Sequence, residues 1–138
     1  MHGKLNEPVY ILGVGCTPFG NLLETPSIKG LTLQELAAQA VKEALEDAQT
    51  EPQEIDAVFV GNVTMQTSNL PATYSQLAKW TGMQMKAGVH IDGGCSTTNV
   101  GVAMGAMAIA SGAYDKVLVV GVESTLSTPK KLSPYERE

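Results

Sequence analysis

Cys95 is the residue with the clearest chemical potential. It follows Gly93 and Gly94 and precedes a stretch, Val100 to Ala110, with no charge and no polar face. A cysteine at the first turn of a helix meets unpaired amides and the positive end of the macrodipole, which favour a thiolate. The two glycines permit a sharp strand-to-helix turn that can present a nucleophile at the tip of a strand. Parallel sheets place their chemistry at the carboxyl ends of strands. A buried structural cysteine is the common alternative, and the spacing alone leaves both readings open. Asp92 works against a thiolate if it faces the sulfur, because like charges repel. His90 stands five residues earlier, and strand residues advance about 3.3 Å each. That distance makes His90 a structural or interface residue rather than a base for Cys95. Cys16 reads as a small residue at a strand end, and His2 as part of a frayed terminus.

The elements around Cys95 follow from periodicity. Val9 to Gly15 is an apolar run ending in glycine, expected to be a strand buried on both faces. Thr32 and Glu35 have the spacing of a capping box. Apolar residues from Leu36 to Ala48 then recur at three and four, predicting an amphipathic helix. Ile55 to Val60 reads as a second strand, closed by Gly61. Pro71 suits the first turn of a helix carrying Tyr74, Leu77 and Ala78, with Gly82 at its end. Ala87 to Ile91 is a third strand, and Lys116 to Gly121 a fourth. The helix after Cys95, apolar all round, is expected to be buried all round. Gly101 and Gly105 each disfavour it by about 1 kcal/mol relative to alanine, which predicts another backbone passing close by.

Strands alternating with helices predict an α/β fold with a mostly parallel sheet and right-handed crossovers, in the order β-α-β-α-β-α-β. Residues 1–122 read as the α/β domain, and 123–138 as the start of a loop region, truncated or continued in another chain. The 138 residues carry a net charge of −5 and no basic cluster beyond Lys130-Lys131, which argues against nucleic acid or an anionic membrane as partners. Two cysteines and no apolar leader predict a reduced, cytoplasmic protein. Gly13-Val14-Gly15 after a strand invites a dinucleotide-binding reading, but Pro18 occupies the third glycine position.

Four segments together resemble the thiolase superfamily, in that family's order and over nearly the whole chain. They are Thr17-Pro18-Phe19-Gly20; Gly61-Asn62-Val63 with Asn69-Leu70-Pro71-Ala72; Gly94-Cys95 entering a glycine- and alanine-rich helix; and Gly121-Val122-Glu123-Ser124 with Ser127 and Pro129. The shorter, less basic character is nearer the sterol-carrier-type and archaeal branch. The resemblance implies a thiolase-like fold, with this chain an incomplete half of an αβαβα sandwich around a buried central helix. It implies an acyl-CoA acyltransferase, condensing acyl units or cleaving a 3-ketoacyl-CoA through a Cys95 thioester, with the Cys95 amide in an oxyanion hole. The coenzyme A thioester would be substrate, with no permanently bound cofactor. Ser96-Thr97-Thr98 departs from the family's Gly-Ser-Gly or Ala-Ser-Gly, placing Thr97 and Thr98 as residues that would shape the acyl pocket.

The family supplies its base from a Gly-His-Pro motif and its second acid/base from a Cys in the carboxy-terminal half. Neither is present here, so the chain alone is expected to be inactive. Its expected partners are acyl-CoA and further protein, as a homo-oligomer, a carboxy-terminal thiolase half, or both. An alternative reading is a non-catalytic thiolase-like subunit that uses its apolar helix only for assembly. A ketoacyl synthase of the carrier-protein branch also remains open, although the 121–129 stretch favours the CoA-using enzymes.

Overall fold

The computed structural model describes residues 5–63 and 73–124. Helix α1 spans Leu33–Asp47 and strand β1 spans Ala57–Gly61. Helix α2 spans Thr73–Thr81, strand β2 Ala87–Ile91, helix α3 Thr97–Ala110 and strand β3 Val117–Gly121. The three strands form one parallel sheet in the order β2-β1-β3. Ala57 is level with Ala87 on one side and with Val117 on the other, so Gly61, Ile91 and Gly121 end at the same height.

Helix α1 begins where its capping box directs. The Thr32 amide donates to Glu35 Oε2 at 2.7 Å, and the Glu35 amide donates to Thr32 Oγ1 at 3.2 Å. Leu33, Leu36, Ala37 and Val41 then face the core, where they meet Val58, Val60, Leu77, Leu118 and Val120. The backbone amide of Thr32 and then its hydroxyl hold the Glu35 carboxyl below its ordinary range. A lowered carboxyl contributes stability above the ordinary carboxylate range and loses it as pH falls through the lowered value. Thr32→Ala is expected to cost about 1 kcal/mol in urea unfolding at neutral pH, and less at pH values where Glu35 is protonated.

The starts of β1 and β3 are tied by one carboxylate. Asp56 Oδ2 accepts from the amides of Asp115 and Lys116, each at 2.9 Å. Those bonds, that to Lys116 foremost, hold the Asp56 carboxyl below its ordinary range.

Two expectations are corrected. Residues 9–15 form no strand among the described residues, and Tyr10, Ile11, Leu12 and Val14 are exposed. The segment lies along α1 instead. A Cβ at Gly13 would stand 2.5 Å from the Ala44 carbonyl, and one at Gly15 would stand 2.1 Å from that of Ala40. The amides of Val14 and Cys16 donate to Asp47 and Glu43 of that helix.

Helix α3 is likewise not buried all round. Gly101 and Gly105 face the sheet, whereas Val100, Val102 and Met107 are exposed. What comes close to the glycines is not another backbone but side chains of the sheet. A Cβ at Gly101 would stand 3.0 Å from Val119, and one at Gly105 3.3 Å from Val117. Among the described residues, no helix is long and apolar enough to cross a membrane. Pro71, His2, Ser127, Pro129 and most of the 123–138 region lie outside the described residues.

Candidate active site

The site is built where β2 turns into α3. After Ile91 the chain passes through Asp92 and Gly93, makes a single 3-10 turn over Gly94–Ser96, and enters the helix at Thr97. Gly94 has φ +60, and a Cβ there would meet nothing within 4 Å. Glycine is therefore required for its backbone conformation and not for space. Asp92 Oδ1 accepts from the Gly94 amide at 3.1 Å, which engages that carboxylate in the turn itself.

Thr97 holds the turn closed. It is 5% exposed, accepts from the Gly93 amide at 2.7 Å and donates to the Gly94 carbonyl at 2.7 Å. One buried hydroxyl thus satisfies both sides of the loop that carries Cys95. Thr97→Val keeps the shape and removes both bonds, leaving the Gly93 amide unmatched while the Gly94 carbonyl keeps the Thr97 amide. The expected cost is about 1–3 kcal/mol, read as a lowered denaturation midpoint.

Cys95 sits in the middle of this turn and is exposed. No side chain caps the helix that starts two residues later, and its first amide, that of Thr97, donates to the Gly94 carbonyl. Thr98 projects toward the sheet. A Cβ at Gly121 would stand 2.1 Å from its Oγ1, and one at Gly61 would stand 3.2 Å from the same atom. The same Gly61 position would bring a Cβ to 2.8 Å from Thr97 Cγ2. Gly61 and Gly121 are register partners. Together they form a side-chain-free ledge on which the first turn of α3 rests. The sequence marks them as strand ends and as parts of two thiolase-like segments, without pairing them; the signal was that both strands end in glycine while the helix start carries two threonines.

The histidine is engaged elsewhere. His90 Nε2 lies 2.7 Å from the Asn62 carbonyl, and since a carbonyl only accepts, Nε2 carries the proton. Asn62 is fully buried, and its side-chain amide donates to the Val122 carbonyl at 2.7 Å. Asn62 and His90 thereby join the carboxyl ends of β1, β2 and β3 beneath the turn. The Val63 amide donates to Glu123 at the same end of the sheet. Cys16 is exposed, with its thiol donating to the Thr17 carbonyl.

Compared with known families, residues 9–137 match the amino-terminal domain of thiolase. The chain belongs to the thiolase family. Over 92 residues it is 38% identical to a β-ketoacyl-[acyl-carrier-protein] synthase III of Desulfitobacterium hafniense, covering 67% of this chain and 28% of that one. Over 127 residues it is 33% identical to a cytosolic acetyl-CoA acetyltransferase of Gibberella zeae, covering 91% of this chain and 31% of that one. The solved 3-oxoacyl-[acyl-carrier-protein] synthase III of Aquifex aeolicus superposes with a TM-score of 0.61 at 26% identity, over 69% of this chain and 30% of that one. The chain thus spans under a third of the length of these relatives. They carry both coenzyme A and carrier-protein names, so the likeness reaches both branches of this thiolase-fold acyltransferase family.

Proposed function

We propose that this chain is the nucleophile-bearing part of an acyl-CoA acyltransferase, with Cys95 as the acyl carrier. The observation behind the reading is an exposed sulfur in a hydrogen-bonded turn at the start of a helix that no side chain caps. The Cys95 thiolate attacks the carbonyl of an acyl-CoA thioester. The tetrahedral oxyanion collapses with loss of the coenzyme A thiolate, which takes up a proton, and the acyl group remains on Cys95 as a thioester. The Cys95 amide contributes to stabilising the oxyanion. The Asp92 carboxylate, occupied by the Gly94 amide, leaves the sulfur as the nucleophile of the turn. The base that activates Cys95 and the group that handles the α-carbon come from the rest of the enzyme, since His90 is held by Asn62. Thr97 fixes the loop and Thr98 borders the acyl site. The acyl-CoA is substrate, no cofactor is held permanently, and the enzyme works as an oligomer in the cytoplasm.

Cys16 provides an internal control, because it is also exposed but lies outside any helix start. Incubation with acetyl-CoA and peptide mass analysis is expected to show acetyl on Cys95 and not on Cys16. With iodoacetamide, Cys95 is expected to react faster than Cys16, because it sits exposed in the turn that opens a helix and Cys16 does not. Equal rates with no acetyl adduct on Cys95 in the assembled protein would leave the chain as a structural subunit.

A further inference from the structure

Asn62 is the first residue beyond β1, and it is fully buried. Its amide donates to the Ile91 carbonyl at 3.3 Å, at the end of β2. Its carbonyl accepts from His90 Nε2 at 2.7 Å, also on β2. Its side-chain nitrogen donates to the Val122 carbonyl at 2.7 Å, just past β3. The Val122 amide in turn donates to the Gly61 carbonyl at 3.1 Å. One residue thus ties the carboxyl ends of both outer strands to the central one.

These bonds matter because of where Ile91 leads. Asp92, Gly93 and Gly94 alone lie between it and Cys95. The turn is bonded within itself, Gly94 to Asp92 and Gly93 to Thr97. Its height over the sheet is therefore set at two footings. One is the ledge of Gly61 and Gly121 under Thr97 and Thr98. The other is the Ile91 carbonyl, which Asn62 holds.

The side chain of Asn62 reaches this end of the sheet from the far face. A Cβ at Gly61 would meet Thr97 and Thr98, so position 61 faces α3. Strand side chains alternate, which turns Asn62 to the face where Val58 and Val60 join the core. His90 shares that face, because a Cβ at Gly88 would stand 2.1 Å from the Tyr74 ring of α2. Both residues therefore act on Cys95 through the backbone and not by contact.

Asn62 is also a destabilising choice for a site that needs only to be filled. No described residue donates to its Oδ1, and a buried acceptor without a donor weakens a fold. Turning the amide over would not help, because the Val122 carbonyl only accepts and needs the nitrogen. An apolar side chain would avoid the orphaned oxygen. Local rules of this kind are broken where a functional geometry has to be held.

We infer that Asn62 is a positioning residue for acyl transfer: by tying Ile91 and Val122 to the end of β1, it sets the height of the turn that presents Cys95. This rests on Cys95 being the nucleophile, and it assigns a part to a residue that never meets the acyl group.

The test follows acetylation of Cys95 in the complete enzyme at several acetyl-CoA concentrations. It yields a maximal rate constant and a half-saturating concentration, both read on the folded fraction. Asn62→Ala removes the side-chain amide and adds no atom, and Asn62→Leu removes it while refilling the space. Both are expected to lower the maximal rate constant by about 10²-fold, the scale of a displacement of about 1 Å. The half-saturating concentration is expected to stay the same. Thr32→Ala, which weakens the fold at the distant start of α1, is expected to keep the wild-type constant. His90→Leu leaves position 62 intact but frees its carbonyl, and its expected fall is smaller than that of Asn62→Ala.

Recovery of the rate in Asn62→Leu would make the residue a filler of space and overturns the inference. So does an equal loss in Thr32→Ala, which traces the effect to stability, or a change confined to the half-saturating concentration. If neither Asn62 variant folds, His90→Leu decides, and a wild-type constant there overturns the inference. Wild-type rates in both Asn62 variants overturn it alone and leave Cys95 as the nucleophile. Absence of acetyl from wild-type Cys95 removes the nucleophile reading, and this inference with it.

Discussion

Cys95→Ala in the complete enzyme is expected to lower acyl transfer by about 10⁴-fold or more, the scale seen when a covalent nucleophile is deleted. Removing the sulfur removes the atom on which the acyl group rests, and no neighbour replaces it. Asp92 is tied to the Gly94 amide. Thr97 is buried with its hydroxyl bonded on both sides. The substitution should leave folding intact, because Cys95 is exposed and its side chain supports nothing in the core.

The informative comparison is His90→Asn, which lies on the same strand and turn. If His90 were the base for Cys95, this variant would fall nearly as far. With Nε2 given to the Asn62 carbonyl, the expected fall is below about tenfold, and a side-chain amide can still donate to that carbonyl. Steady-state rates of both variants, alongside acetyl incorporation at position 95, decide between the two roles. A His90→Asn enzyme as impaired as Cys95→Ala would restore His90 as the base.

Much of the frame was legible because its signals are local. Thr32 and Glu35 satisfy each other's amides whatever lies around them, so the start of α1 could be read from spacing. The strands from Ala57, Ala87 and Val117 are apolar runs closed by glycine or a turn, and each is found within two residues of its expected start. The turn before Cys95 was marked by paired glycines, and Gly94 does take a left-handed conformation.

What escaped reading depends on neighbours. An apolar run such as residues 9–15 becomes a buried strand only if another strand lies beside it; among the described residues no strand pairs with it, and the run rests on α1 with Tyr10, Ile11, Leu12 and Val14 exposed. The helix after Cys95 was read as covered on every face from composition alone. Composition reports which side chains avoid water but not which chain covers them, and Val102 and Met107 are left open. Thr97 and Thr98 were singled out in the sequence as a departure from the family's pattern, but the packing of Thr98 could not be read from it. Its crowding against Gly61 and Gly121 involves residues far apart in sequence, and no local pattern reports that.

That crowding supports the second large effect. Gly121→Ala should destabilise the chain by about 2–3 kcal/mol, the range for forcing extra atoms into a filled space. The added methyl would stand 2.1 Å from Thr98 Oγ1, 3.0 Å from its Cγ2 and 3.1 Å from its Cβ. Turning the threonine about its first side-chain bond cannot clear the overlap, since the Cβ itself stays too close. The helix start would have to rise, and the turn holding Cys95 would rise with it. Loss of stability should therefore accompany slower acetylation of Cys95. Thr98→Gly removes all three obstructing atoms, at a cost of about 1 kcal/mol or less for glycine in a first turn. If contact with Thr98 is the cause, Thr98→Gly with Gly121→Ala is more stable than Gly121→Ala alone, and a double-mutant cycle gives a coupling of about 1–2 kcal/mol. Additive losses would mean that Gly121 is needed for its backbone and not for the space it leaves. Recovery of Cys95 acetylation in the double variant would tie the height of the nucleophile to this ledge of paired glycines.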